Sequence, residues 1–209
     1  MRALSALADA GLLLPAAFAL LLYLLVRRQG LAALAFAAAL GSCGVATIAA
    51  KLLFHACGAS LTDLDVVSPS GHASFATAFY GSLAILVGTG RVRWQRALLA
   101  VSCAVLLAGI GVSRVVLRTH SVAEVVIGLA LGAAAVALFA ALHARIGRPI
   151  LHVLPLAAGF LVAVALLGGR SFTLEGGIAR TARHLAASLD VCRDAGPRHA
   201  ARLSGRLGR

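Results

Sequence analysis

The stretch SRVVLRTHSVAE, residues 113–124, sets two arginines, a histidine and a glutamate between two long apolar runs. Arg114, Arg118, His120 and Glu124 would each be costly inside hydrocarbon, so a chain that keeps them at a membrane edge has a use for them there. The flanking runs, at about 97–117 and 121–142, are close to the roughly 20 residues a helix needs to cross a bilayer core. Four more runs of this kind lie at about 9–26, 31–54, 73–90 and 149–168. None has the strict alternation of a barrel strand. The expected fold is all-α: a six-helix integral membrane bundle over residues 1–169, then a basic C-terminal tail, 170–209.

Composition agrees. Of 209 residues, 61% are hydrophobic and 12% charged, too apolar for an ordinary soluble domain. Arg2 ahead of the first run gives it the look of a secretory signal. The run continues into Arg27 and Arg28 without a small-residue cleavage site, however, so it reads as a membrane helix. A net charge of +12 invites a nucleic-acid partner. Here the arginines sit in short loops and in the tail, which points to anionic lipid instead, with no nucleic acid expected.

The short loops also give an orientation. Arg27 and Arg28, then Arg91, Arg93 and Arg96, then Arg145 and Arg148 fall between spans one and two, three and four, and five and six, and mark the cytoplasmic side. The other side then carries the N-terminus, the 55–72 segment, the 114–120 turn and the tail. Spans three and four are antiparallel and of similar length, so His72 and His120 are expected to meet. The expected setting is a bacterial inner membrane, with the polar site facing the periplasm.

In the tail, residues 177–190 read as a short amphipathic helix that lies on the surface or caps the site, with disorder after Cys192. Cys43 and Cys103 fall inside spans and read as small core residues. Cys57 and Cys192 both fall on the outer side, where an oxidising compartment permits a disulfide between them. Gly128 and Gly132, and Gly81 and Gly88, read as close-packing positions.

Three polar elements carry chemistry. Ser68-Pro69-Ser70-Gly71-His72 precedes an apolar helix, with Ser70 placed to cap it, and a helix start offers backbone N–H groups to a phosphate. Capping alone accounts for Ser70 but not for His72. Arg114 and Arg118 are one turn apart and carry the paired donors that suit phosphate oxygens, although either alone reads as a snorkelling interface residue. Glu124 has two readings. It completes a capping box with Ser121, or it accepts a hydrogen bond from His120 and leaves the other ring nitrogen to attack phosphorus. The second is favoured. Lys51 is the single lysine among nineteen basic residues, which singles out a compact ammonium near the outer end of the second span.

Pro-Ser-Gly-His at 69–72 and Ser113-Arg114-x5-His120-x3-Glu124 resemble the second and third signature motifs of the type-2 phosphatidic acid phosphatase superfamily, membrane relatives of the vanadium haloperoxidases. The resemblance covers about residues 45–135. It implies a metal-independent phosphatase with no cofactor and a phosphohistidine intermediate. His120 would be the nucleophile, Glu124 its orienting partner and His72 the general acid, while Lys51, Ser70, Gly71 and Arg114 would hold the phosphate. There are two departures. Glu124 stands where the family usually has Asp, and Gly58 and Ala59 stand where its first motif has Arg-Pro. Arg118, Arg180, Arg183 or His55 is then the expected source of the missing charge. The expected substrate is a lipid phosphate or diphosphate. The alternatives are a phosphotransferase of the same family and a catalytically silent lipid-phosphate binding protein.

Overall fold

The computed structural model describes residues 1–61 and 68–146. Within them the chain is helical: α1 Arg2–Ala6, α2 Ala10–Val26, α3 Gly30–Leu61, α4 Gly71–Gly88, α5 Arg93–Val116 and α6 Val122–His143. Five of these match the first five expected spans, and α1 is an unexpected short helix ahead of them. The sixth expected span at 149–168, the tail with its 177–190 helix, Cys192 and the Cys57 side chain lie outside the described residues.

Three helices are long and apolar enough to cross a membrane, Gly30–Phe54, Arg93–Val116 and Val122–His143, with Ala10–Val26 a shorter apolar helix. Helix α4 is more polar, and its position accounts for that. It packs against α2, α3, α5 and α6 and buries Ser74, Thr77, Tyr80 and Ser82 along with its apolar residues. Its hydroxyls therefore face protein, where Thr47 Oγ1 donates to Ser74 Oγ at 3.0 Å and Thr77 Oγ1 to the Ala73 carbonyl at 2.7 Å. Helix α5 is the opposite case. Only Ile110, Gly111 and Ser113 are buried, while Trp94, Leu98, Val101, Val105 and Val112 are exposed. Such a continuous apolar face suits lipid rather than water, and Trp94 beside Arg91, Arg93 and Arg96 fits an interfacial anchor.

The glycine expectations are settled by what a side chain would meet. A Cβ at Gly128 would lie 2.5 Å from the Ser70 carbonyl oxygen, one at Gly132 would lie 2.5 Å from the Ser74 carbonyl oxygen, and one at Gly81 would lie 2.5 Å from Val136. The small residues let α4 and α6 approach nearly backbone to backbone. Gly88 is different, meeting only Arg96 and Leu99 at ordinary van der Waals distance. Deeper in, Phe36 of α3 meets Phe79 of α4 and Phe139 of α6 edge-on at centroid distances of 6.3 Å, which locks the three helices together.

Helix α3 runs to Leu61, seven residues past the expected end of its span. The segment after Phe54 contains no proline, and its single glycine, Gly58, lowers helix propensity without ending the helix. Two turns separate Lys51 from Gly58, so both fall on the same face of α3.

Candidate active site

Three helix ends meet at one level of the bundle: the starts of α4 and α6 and the end of α5. Ser70 is the N-cap of α4, its hydroxyl accepting from the Ala73 N–H at 3.4 Å. Gly71 and His72 follow in the first turn, among the residues whose N–H groups a helix start leaves without an internal acceptor.

Helix α6 begins with the capping box expected from Ser121 and Glu124. The Glu124 N–H donates to Ser121 Oγ at 3.3 Å, and the Ser121 N–H donates to Glu124 Oε2 at 3.0 Å. The same Oε2 lies 2.9 Å from His120 Nδ1. The two readings of Glu124 are therefore both realised, by one oxygen. Its other oxygen, Oε1, accepts from the Ser68 N–H at 3.1 Å, and its carbonyl accepts from the Ser70 N–H at 3.0 Å. Glu124 is only 2% exposed, so these bonds stand where water does not compete. With a carboxylate against Nδ1, that nitrogen carries the ring proton, and Nε2 keeps its lone pair for chemistry.

Helix α5 ends in a tight turn that delivers His120. The Arg118 N–H donates to the Val115 carbonyl at 2.9 Å and the Thr119 N–H to the Arg114 carbonyl at 3.1 Å, the bond pair of a Schellman motif. Arg118 holds the left-handed position with φ 54°, where glycine is the usual occupant. Thr119 Oγ1 reinforces the turn with a 3.0 Å bond to the same Arg114 carbonyl. Arg114 itself is partly buried, and its Nη1 donates to Ser5 Oγ at 2.8 Å.

Lys51 reaches the site from α3. It is 3% exposed, and its Cε and Nζ lie 3.5 and 3.8 Å from where a Cβ on Gly71 would stand. The ammonium thus lies against the first residue of α4. One and two turns back along the same face of α3, Thr47 and Cys43 bond to Ser74, and Ser74 Oγ donates to the Gly71 carbonyl at 3.1 Å. This polar ladder fixes α4 against α3 just below the site.

His72 stands one residue ahead of the apolar part of α4, with its side chain 20% exposed and Nε2 3.7 Å from Asp9 Oδ2. Burial pushes its pKa down from 6.5 to about 4; the Arg114 guanidinium pushes the same way, the Asp9 carboxylate opposes it, and His120 adds to the lowering when it is protonated. The ring is therefore neutral near pH 7 and close enough to both Arg114 and His120 to interact with them.

The structure thus brings together His72, His120, Glu124, Lys51, Ser70, Gly71 and Arg114. Arg118 is exposed at the turn, apart from the buried group. His55, Arg180 and Arg183, the other candidates for the missing charge, have side chains outside the described residues, as does the Cys57–Cys192 pair. Two residues of the site were missed in the sequence, Ser5 and Asp9. Asp9 did leave a signal, being the only acidic residue before Asp63 and standing directly ahead of a membrane helix. Among the described residues, no group of three or more His, Cys, Asp or Glu side chains is placed to hold a metal ion. A cavity of about 840 Å³ between α4, α5 and α6, lined by Thr89, Arg91, Arg96 and His143, lies at the other end of the bundle.

Comparison with known proteins agrees with this geometry. The family model of the PAP2 superfamily matches residues 33–148, a stretch that includes Lys51, the 68–72 turn and the 113–124 segment. An "Uncharacterized 22.5 kDa protein in cps region" of Klebsiella pneumoniae is similar at 35% identity over 142 residues, covering 68% of each chain. No solved structure matches. A family match over more than half the chain, with its polar motifs gathered at one end of a helical membrane bundle, supports phosphatase-type activity, and the chain belongs to the PAP2 superfamily.

Proposed function

We propose that this chain is a lipid-phosphate phosphatase of the bacterial inner membrane, working on a lipid phosphomonoester or diphosphate at the periplasmic leaflet through a phosphohistidine. The observation that carries the reading is the Glu124 carboxylate, which bonds His120 Nδ1 with one oxygen and the Ser68 N–H with the other. It ties the imidazole whose Nε2 is left for attack to the turn that opens α4.

In the first step His120 Nε2 attacks phosphorus in line, an N–P bond forms, and the P–O bond to the lipid breaks as His72 protonates the departing oxygen. Lys51, Arg114 and the first N–H groups of α4 stabilise the equatorial oxygens. Water then attacks the phosphohistidine, gives its proton to the now neutral His72, and the N–P bond breaks to release inorganic phosphate. A neutral His72 in the empty site is compatible with the acid role, because an arriving phosphate dianion raises its proton affinity.

The lipid assignment is supported by the site's place at the end of an apolar bundle with a lipid-suited belt on α5. The periplasmic assignment is supported by Arg27, Arg28, Arg91, Arg93, Arg96 and Arg145, all near helix ends remote from His72 and His120. The test is phosphate release from dioctanoyl phosphatidate and from a prenyl diphosphate by the full chain in detergent. Both are expected to depend on His120, with His120→Ala inactive yet melting like the parent. Unchanged turnover in that variant removes the nucleophile assignment. Tight substrate binding without release in the parent chain identifies the silent binder instead.

A further inference from the structure

The segment ahead of α2 lies outside the family match at 33–148, yet it reaches the site at two points and is fastened between them. Arg114 Nη1 donates to Ser5 Oγ at 2.8 Å, Tyr80 Oη donates to the Leu7 carbonyl at 2.8 Å, and Asp9 Oδ2 lies 3.7 Å from His72 Nε2. Asp9 does two jobs with two oxygens, since Oδ1 caps α2 by accepting from the Gly11 N–H at 2.8 Å. That bond fixes the carboxylate while Oδ2 faces the imidazole.

We propose that Asp9 is the positioning residue of His72: a carboxylate from the N-terminal segment that keeps this imidazole able to carry the proton it delivers to the leaving group. The proposal rests on the phosphatase reading above. It gives the site two histidine–carboxylate pairs of opposite purpose. Glu124, in hydrogen-bond contact at 2.9 Å, fixes a tautomer and leaves His120 a lone pair. Asp9 Oδ2, at the longer distance of 3.7 Å from His72 Nε2, is well within reach of a charge and so favours a protonated ring.

The surroundings create the need. His72 faces the Arg114 guanidinium from the end of α5, which disfavours a second proton, and His120 from the turn before α6, which does the same when it is protonated. Among the described residues Glu124 is the other carboxylate at this end of the bundle, and it is engaged by His120 and two backbone N–H groups. A site assembled from cations to hold phosphate works against its own acid, and Asp9 offsets that conflict. Its influence on His72 is of the expected sign, opposing the lowering by Arg114 and His120.

The test compares Asp9→Asn with the parent as full chains in detergent. Asparagine is as good an N-cap as aspartate, so α2 keeps its start and only the charge is lost. Dioctanoyl phosphatidate has a poor alkoxide leaving group that needs a proton, whereas p-nitrophenyl phosphate has a leaving group that departs without one. For Asp9→Asn we expect turnover of the first to fall by about tenfold and that of the second to stay within about twofold, with the alkaline limb of the first moving down by about one pH unit. Asp9→Glu should recover part of the lost ratio. Separately, the His72 ring titration followed by NMR on isotope-labelled protein should move down in Asp9→Asn.

Equal slowing of both substrates, or an unmoved ring titration, overturns the proposal and leaves Asp9 as a helix cap. If the parent turns over neither substrate, the phosphatase reading fails on its own account. The ring titration then decides the Asp9–His72 coupling alone.

Discussion

Replacing Glu124 by Gln is the most severe test of the site, because the amide has the shape of the carboxylate but cannot satisfy its surroundings. Oε2 accepts from His120 Nδ1 and the Ser121 N–H, and Oε1 accepts from the Ser68 N–H. All three partners are donors. An amide brings one acceptor and one donor, so either orientation sets N–H against N–H somewhere in a group only 2% exposed.

If the NH2 faces His120, the ring must present a bare Nδ1 and move its proton to Nε2, which removes the nucleophilic lone pair. If it faces Ser68, the turn into α4 loses its side-chain tie to α6 and keeps only the Ser70 N–H bond to the Glu124 carbonyl. A buried donor left without a partner costs about 1–3 kcal/mol, and for a chain of this size each kcal/mol lowers Tm by about 2–4 °C. Glu124→Gln should thus melt several degrees below the parent. Turnover should fall on the order of 10³-fold or more, as for other catalytic histidines left in the wrong tautomer. The assay is thermal unfolding and phosphate release on the same detergent preparation, with His120→Ala alongside. The histidine variant should lose activity while keeping its melting temperature, since the Glu124 bonds to Ser68 and Ser121 remain. A Glu124→Gln chain that melts and turns over like the parent would refute the role of this carboxylate as the junction of the site.

Two further substitutions separate packing from chemistry. Gly128→Ala places a methyl against the Ser70 carbonyl oxygen, which is backbone and cannot swing away; it should cost about 1–3 kcal/mol and also reduce turnover, measured by melting and phosphate release, because the displaced group belongs to the phosphate turn. Arg118→Gly relieves a left-handed residue at φ 54° and should raise stability by about 1 kcal/mol in the same melt, with turnover unchanged. A loss of more than tenfold there would make Arg118 a phosphate ligand after all.

The fold was legible where hydrophobic length decides it. Five apolar runs became α2 to α6 and, except at the end of α3, their ends shifted by only a few residues, because Ser70 and Ser121 are strong start signals. The end of α3 was not legible: no breaker stops the helix after Phe54, and only contact with the rest of the bundle could show whether those residues coil or wind on. In the site, Arg114, His120 and Glu124 were legible because their spacing within one segment already fixes how they meet, and Ser70 because it caps the helix it opens. The dual role of Glu124 was not. Capping and orienting look like competing uses of one side chain when read along the sequence, and become compatible only when one oxygen can meet two donors while the other reaches across to Ser68. The contacts of Ser5 and Asp9 were not legible for a related reason, since their partners, Arg114 and His72, lie 109 and 63 positions away and no periodicity links them.

The usual family aspartate is one methylene shorter than Glu124, and the geometry gives that departure a physical meaning. A carboxylate that only orients a histidine needs reach in one direction. Here the longer side chain spans the gap between the start of α6 and the turn before α4, so the two helices are joined through the carboxylate that bonds His120 as well as through the Ser70 N–H bond to the Glu124 carbonyl. Glycines at 128 and 132 hold the same two helices at near backbone contact just below, which keeps the span short enough for a glutamate to bridge. Helix ends at a membrane edge must find partners for their unpaired N–H and C=O groups in any case. In this bundle the ends of α4, α5 and α6 satisfy much of that need through one another, and the groups gathered beside them, an imidazole, an ammonium, a guanidinium and the first N–H groups of α4, are of the kinds that suit an anion.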